Sequence, residues 1–541
     1  MDIVGSRTLR DLWDDLARDA GERTFLVFED ASGAVVEHTY AQFEVLVART
    51  ANLFTSLGVG RGDAVAVHLR NCPELLMCMF GLAEIGAVLV PLHPRSTREE
   101  CADIAARVEA RVVVCEPDGL AVWGVPAAPV VPAAVPGAVP DGAPSGAVAD
   151  GPRVVVQHVL VARSATPHGP VHGVTRFEEA RDAQPDRLAV DAALSSDDPA
   201  GIVFTSGTTA RPKGVVLTHA NLIFSGHFVD WQASLTSADR LLTTMPACHV
   251  NFQLNALMPV LTAGATLVMV ERYSASQFWR QVCRHDATVV QSIAMMVRTM
   301  LLQPAAPWER ENRVREVLYY LPITDEEKAR FEERFATRIL NSYGTSETLV
   351  GVLTDPPHGE RRWPSIGRVG LGYEARVADE QGREVGPGVV GEIQVRGVLG
   401  RTLMQGYHKD PAATAAAVDA DGWLHTGDLG WVDDDGWFYF VERRTLLIKR
   451  SGESVSPAEV EAALSRHPGV CECAVIGVPD PIHDEAVKAF VVPAPGVVLT
   501  ERDVQEHCRA LLAEFKVPTV VEIVPSLPHT RSFKVAKASL G

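Results

Sequence analysis

The sequence predicts an α/β protein with two parts. A large N-terminal domain carries doubly wound, mostly parallel sheets, and a small, mobile α+β domain closes the C-terminus. Three observations carry this expectation. Helix and strand patterns alternate from residue 40 to 115 and again from 240 to 303, which is the signature of parallel strands with helices on the sheet faces. Past about residue 440 a shorter, separate alternation begins. At 541 residues the chain also exceeds what one hydrophobic core serves.

Taken in order, residues 8–19 read as an amphipathic helix. Residues 24–40 read as a hairpin turning at Ser32-Gly33. The first alternation then runs helix 40–57, strand 64–69, helix 74–85, strand 88–91, helix 98–108 and strand 112–115. Residues 124–151 are rich in Pro, Ala, Val and Gly and read as a low-complexity surface excursion without chemistry. The second alternation runs strand 241–245, helix 255–263, strand 266–270, helix 274–285, strand 289–292 and helix 295–303, with further strands at 338–345 and 390–397. The small unit reads as helix 457–465, strands 472–478 and 486–492, helix 502–512 and a short tail. The expected division is 1–442 for the large domain, 443–447 for a hinge and 448–541 for the cap.

Composition narrows the function classes. The net charge of −18 argues against nucleic acid or an anionic membrane as partner. No run approaches the length of a membrane span, and Asp2, Asp14 and Asp15 interrupt any signal-like start. Nine scattered cysteines fit reduced thiols, so a cytoplasmic location is expected. Cys471 and Cys473 form only C-x-C, with no second pair nearby to complete a zinc site.

The stretch Thr205-Ser-Gly-Thr-Thr-Ala-Arg-Pro-Lys-Gly214 is the most informative. It follows the apolar run Gly201–Phe204, read as the end of a buried strand, and ligands on parallel sheets bind at strand carboxyl ends. Thr205, Ser206, Thr208 and Thr209 supply hydroxyls, Gly207 lets backbone N–H groups approach an anion, and Lys213 adds a full positive charge. A polar turn between strand and helix would use the same residue types. Lysine usage favours phosphate binding. Only 8 of the 50 basic residues are Lys, and none precedes Lys213.

This stretch resembles the phosphate loop of the acyl-adenylate-forming superfamily, which includes acyl-CoA synthetases, luciferase and peptide-synthetase adenylation domains. Ala210 stands where most members have glycine. The opening residues and the run Arg361-Arg-Trp-Pro-Ser-Ile-Gly-Arg368 look closest to the crotonobetaine/carnitine-CoA ligase branch.

The resemblance extends to three further motifs. In Asn341-Ser-Tyr-Gly-Thr-Ser-Glu-Thr348, Tyr343 is the adenine-stacking aromatic and Gly344 allows close approach. Thr345 or Ser346 donates to the α-phosphate, and Glu347 supplies a hard oxygen for Mg²⁺. In Trp423-Leu-His-Thr-Gly-Asp428 the aspartate holds the ribose, joined by Arg443. Lys449 and Gly452 match the loop that faces the thiol tunnel during thioester formation, and Lys534 matches the lysine that stabilises charge during adenylation. Leu446, at the hinge, replaces the usual Asp or Lys, Phe533 replaces a glycine, Ser451 stands where glycine is frequent, and Ser346 stands where Thr is usual.

His249 matches a position beside the acyl carbonyl. Cys248 and Ala294 are small where bulkier residues would fit the branch, which suggests a wider acyl pocket and a bulky or largely apolar acid. No Asp lies between Leu241 and Arg284 to meet an α-amine, so an amino acid is disfavoured.

The resemblance thus implies an acyl-CoA ligase: a small carboxylic acid and ATP give acyl-AMP, and coenzyme A displaces AMP. Thr208, Glu347, Lys449 and Lys534 are the expected catalytic residues, and the departures suggest weakened adenylation. Two alternatives remain open. The protein converts a preformed acyl-AMP supplied by an upstream adenylating enzyme, or it is an idle nucleotide- or CoA-binding relative.

Overall fold

The computed structural model describes residues 3–125, 156–164, 174–205, 212–321, 323, 325–349, 351–443, 448–528, 535, 537 and 540. The excursion 124–151 lies almost wholly outside the described residues, as do 206–211 of the phosphate stretch, 444–447 of the hinge and Lys534.

Two large sheets build the N-terminal body. In the first, five consecutive pairings are parallel. They join Ile339–Tyr343, Glu316–Tyr320, Val289–Ile293, Arg240–Thr243, Thr266–Val270 and Thr24–Glu29. Antiparallel strands close both edges. In the second, Pro199–Thr205, Val88–Pro91, Ala64–His68, Val112–Cys115, His158–Val161 and Val174–Arg176 are parallel neighbours. Val88–Pro91 and Val112–Cys115 are buried at every position, which explains their unbroken apolar sequences. One continuous core joins the sheets through helices such as His219–Ala233, which is buried nearly all round.

The structure corrects several sequence expectations. The chain after Phe204 does not turn into a helix. Lys213–Thr218 returns as an antiparallel strand beside Pro199–Thr205, pairing Thr205 with Lys213. The helix expected from 255 begins at Val250 and passes through a π turn at Gln253–Leu257 before Met258–Ala263. The helix expected from 274 begins at Phe278. A four-stranded antiparallel sheet had no counterpart in the sequence reading beyond 390–397. Its strands are Glu374–Ala378, Gly391–Arg396, Trp423–Val432 and Phe438–Arg443.

The small C-terminal domain has its own sheet. Glu453–Val455, Ile448–Arg450, Asp484–Pro493 and Val470–Asp480 are antiparallel, and Val520–Ile523 adds a parallel strand beside Asp484–Pro493. Its two faces pack separately, because neighbouring strand residues point to opposite sides. Val475, Val487 and Ala489 join Ile448, Val455 and the helices in one cluster. Ala474, Ile476 and Phe490 join Leu527 and Val535 in another.

Candidate active site

Both motif-bearing turns of the body leave the carboxyl ends of parallel strands, one in each large sheet. Thr205 ends Pro199–Thr205, and Tyr343 ends Ile339–Tyr343. The third motif lies in the antiparallel sheet, where Asp428 pairs with Arg443 in register. A cavity of about 1280 Å³ joins them. Its walls include Thr205, Lys213, Tyr343, Gly344, Thr345, Ser346, Glu347 and Asp428 from the body, and Lys449, Gly452, Glu453 and Ser454 from the cap. A second cavity, of about 1420 Å³, opens between residues 105–111 and 405–411 and shares only Tyr407 with this set. Size alone would select the wrong one, and the convergence of polar groups selects the first.

Hydrogen bonds hold the body residues in place. The Tyr343 hydroxyl donates to Asp428 Oδ2 at 2.6 Å, tying the second motif to the third. Asp428 is buried, and its N–H donates to Thr426 Oγ1 at 3.1 Å. The turn carrying Glu347 is closed by Thr345 N–H donating to Thr348 Oγ1 at 2.8 Å. Met404 N–H donates to the Glu347 carbonyl at 2.9 Å, and the Tyr407 hydroxyl donates to its Oε1 at 2.8 Å. Lys213 Nζ stands 4.8 Å from the centre of the Tyr407 ring. Tyr407 therefore links Lys213 to the Glu347 carboxylate. Nothing in the sequence pointed to Tyr407, because it arrives through the pairing of Gly406 with Val216.

The end of the cavity around His249 is polar. His249 caps the helix that follows, its Nδ1 accepting from Asn251 N–H at 3.2 Å. Asn255 Nδ2 donates to Asn251 Oδ1 at 3.2 Å, and Gln291 Nε2 donates to the Asn251 carbonyl at 3.0 Å. His249, Asn251 and Asn255 line the cavity together with Ile293 and Arg298. Cys248 and Ala294 are buried, next in sequence to the lining residues His249 and Ile293, and are not themselves among the lining residues.

The cap presents the turn of its first hairpin. Lys449 N–H donates to Glu485 Oε2 at 2.6 Å, and Lys449 Nζ donates to Ser454 Oγ at 2.8 Å. Ser451 and Gly452 both take positive φ, 52° and 84°. Ser451 is held there by its N–H donating to the His483 carbonyl at 3.0 Å and by a 2.6 Å contact between Oγ and His483 Nδ1. Burial raises the Asp484 and Glu485 carboxyls above their ordinary range, with Arg298 partly offsetting this for Asp484.

Not every expected residue joins this assembly. Ser206, Gly207, Thr208, Thr209, Phe533, Lys534 and Leu446 lie outside the described residues, and for Arg443 the backbone alone is described. Leu527 and Val535, which flank Lys534, pack on the cap-sheet face away from the cluster containing Ile448 and Val455. Neither lines the cavity.

Residues 13–408 match the family described as AMP-binding enzyme, and residues 459–534 match its C-terminal domain. The chain belongs to the AMP-binding enzyme family. It is 44% identical over 540 residues to a crotonobetaine/carnitine–CoA ligase of Salmonella paratyphi A, covering 100% of each chain. Among solved structures it is similar to the amide bond synthetase McbA from Marinactinospora thermotolerans. That match has a TM-score of 0.81 and 26% identity, covering 97% of this chain and 98% of that one. The fold also matches a double mutant of o-succinylbenzoate CoA synthetase from Bacillus subtilis, bound to a product analogue. There the TM-score is 0.82 at 23% identity, covering 99% and 98% of the two chains. This AMP-binding enzyme is an acyl-CoA ligase of the adenylate-forming type. Among the described residues no helix is long and apolar enough to cross a membrane.

Proposed function

We propose that this ligase makes an acyl-CoA thioester from a small carboxylic acid by way of acyl-AMP, with adenylation as its weaker half. In the first step a carboxylate oxygen attacks the α-phosphorus of ATP and pyrophosphate leaves. In the second the coenzyme A sulfur attacks the acyl carbonyl, AMP leaves and the thiol proton passes to solvent. Lys213 and the hydroxyls of Thr205, Ser206, Thr208 and Thr209, with the Gly207 backbone, bind the phosphates. Tyr343 stacks on adenine while Gly344, Thr345 and Ser346 meet the α-phosphate. Asp428, with Arg443, holds the ribose. His249 lies beside the acyl carbonyl, Lys449 and Gly452 line the thiol's path, and Lys534 serves adenylation. Residues 443–447 are the hinge between the body, 1–442, and the cap, 448–541.

Glu347 fits a Mg²⁺ ligand. Among the described residues no three His, Cys, Asp or Glu side chains converge on a metal site. One carboxylate with substrate phosphates and water is the arrangement Mg²⁺ accepts. Bound there, it would offset phosphate charge.

The observation that carries the proposal is the Lys449–Ser454 turn, which faces the same cavity as Lys213, Tyr343, Glu347 and Asp428. That is the composition a thioester-forming site needs. Weak adenylation rests on Phe533 and Leu446. A Phe where a glycine takes positive φ strains the loop that presents Lys534. The same departures support a second reading, in which another enzyme supplies the acyl-AMP. Retention of Lys213, Glu347, Asp428 and Lys534 together speaks against an idle relative. The polar end around His249 and the relatives' name make crotonobetaine and carnitine the first acids to assay.

The test compares pyrophosphate release from acid plus ATP with thioester formation from synthetic acyl-AMP plus coenzyme A. The second is expected to be faster by tenfold or more. Equal rates would remove weak adenylation, and no thioester from any acyl-AMP would remove the ligase reading.

A further inference from the structure

Two cations at the seam between body and cap, Lys516 buried and Arg298 half-buried, share one design. Lys516, on the cap and 8% exposed, donates to Glu459 of the cap at 2.7 Å and to Glu100 of the body at 3.0 Å. Burial alone would lower the Lys516 pKa, but Glu459 and Glu100 more than offset it and hold it above the ordinary lysine value. Arg298, on the body, donates through Nε to Glu327 of the body at 2.8 Å and through Nη1 to Asp484 of the cap. Each cation therefore has one carboxylate in its own domain and one across the seam. The Arg466–Glu99 pair also crosses the seam, but it is exposed on both sides and screened by water.

This sharing matters because a buried charge stripped of its only partner is strongly unfavourable. If the cap moves away, Lys516 keeps Glu459 and Arg298 keeps Glu327. Glu100 keeps a role too, since its Oε2 accepts from Thr97 N–H at 2.8 Å in a capping box. The contact is built to break without stranding either cation. A need for breaking follows from the cap's two faces. The Lys449 hairpin and the residues flanking Lys534 belong to opposite sides of one sheet. In this pose the Lys449 hairpin lines the cavity and Leu527 and Val535 do not, so the proposed use of Lys534 there needs a second pose.

We infer that Glu100 and Glu327 are positioning residues with opposite effects on how long the cap stays docked. Glu100 holds Lys516, and with it the Lys449 hairpin, at the cavity. Glu327 bonds Arg298 at the same time as Asp484 does and, as a like charge on the same guanidinium, weakens the hold on Asp484 and eases release. The inference rests on the proposed reading that both half-reactions use this cavity.

Glu100→Gln and Glu327→Gln test it on the full chain. Glutamine keeps the capping-box acceptor at position 100 and replaces the charged oxygen that accepts from Lys516 and from Ala513 N–H with an amide NH2, which removes the cross-seam bonds. In Glu100→Gln, kcat for thioester formation from synthetic acyl-AMP is expected to fall about tenfold. KM for acyl-AMP and the rate of pyrophosphate release should stay unchanged. Amide hydrogen exchange at 511–516 should quicken. In Glu327→Gln exchange there should slow and ATP-dependent turnover should fall, with thioester formation from acyl-AMP retained. Exchange shifts of the same sign in both variants, or an equal loss of both half-reactions in Glu100→Gln, would overturn the inference. If the wild type catalyses neither half-reaction, the proposed function fails, and the exchange shifts still decide the docking role.

Discussion

Gly452→Ala separates a docking effect from a folding effect. Gly452 sits at φ +84°, and a Cβ added there would lie 2.9 Å from Ile293 Cδ1. The backbone strain, ~1–2 kcal/mol, is present whether or not the cap is docked. The contact with Ile293 exists only in the docked arrangement, because Ile293 belongs to the body and is 7% exposed. Ile293 Cδ1 is the end of a flexible side chain that lines the cavity, so it yields by leaving its rotamer well at ~0.5–1.5 kcal/mol, or roughly a 2- to 12-fold loss of the docked population. Thioester formation from synthetic acyl-AMP, followed by consumption of the coenzyme A thiol, should fall by that factor. Pyrophosphate release should hold. Ile293→Val removes the atom in the way, so the double variant should recover most of the loss. A double variant as slow as Gly452→Ala would refute the reasoning, since the defect would then lie in the hairpin itself.

Two further outcomes follow from the geometry. Tyr343→Phe removes the 2.6 Å donor to buried Asp428. A hydrogen bond to a charged group is worth ~1.5–3 kcal/mol, so KM should rise for both ATP and acyl-AMP, which share the AMP moiety. Steady-state assays with each substrate check this, and a rise for ATP alone would count against it. Glu84 is 4% exposed, and burial, reinforced by Asp14 and Glu44, raises its carboxyl to about 8. A raised carboxyl pKa means that its contribution is fully present below the unfolded value, near 4.5, and is lost as pH rises through about 8. Glu84→Gln mimics the neutral acid, so its Tm advantage over wild type should grow from pH 4.5 to pH 8. The gain is on the order of a few kcal/mol at the alkaline end, and a gap constant with pH would contradict it.

How much of this was legible in the sequence varies from element to element. Val88–Pro91 and Val112–Cys115 were readable to the residue because both of their faces are covered, which leaves an uninterrupted apolar run between turn signals. Thr39 and Gln42 form a capping box, and the helix begins where they put it. The helix from Val250 was misjudged for two physical reasons. Its cap is an imidazole instead of a Ser, Thr, Asp or Asn side chain. Its first turns also run into the π turn at Gln253–Leu257, which interrupts the 3.6-residue period where the helix was read to begin. The phosphate stretch was recognisable by residue type, while its return as a strand was not, because antiparallel pairing with Pro199–Thr205 is a long-range choice. Tyr407 escaped for the same reason. An aromatic in a loop gains meaning only when pairing across nearly two hundred residues brings it beside Lys213 and Glu347.

The two faces of the cap's sheet also bear on the proposed weakness of adenylation. Strand residues alternate sides, so Val475 and Val487 stabilise the Ile448–Val455 hairpin while Ala474 and Phe490 support Leu527 and Val535. Packing around Leu527 and Val535 can therefore change while the hairpin's contacts stay intact. Phe533 falls on the segment that carries Lys534, and Leu446 falls in the proposed hinge; neither belongs to the Lys449–Ser454 turn. The hairpin keeps Lys449, Gly452 and Ser454 together at the cavity, with the Lys449 amine on Ser454 at 2.8 Å. The hairpin carries a departure of its own, Ser451 in place of the frequent glycine, and there the φ of 52° is held by the Ser451 N–H on the His483 carbonyl and by the contact of its Oγ with His483 Nδ1, so the turn keeps its shape without the glycine.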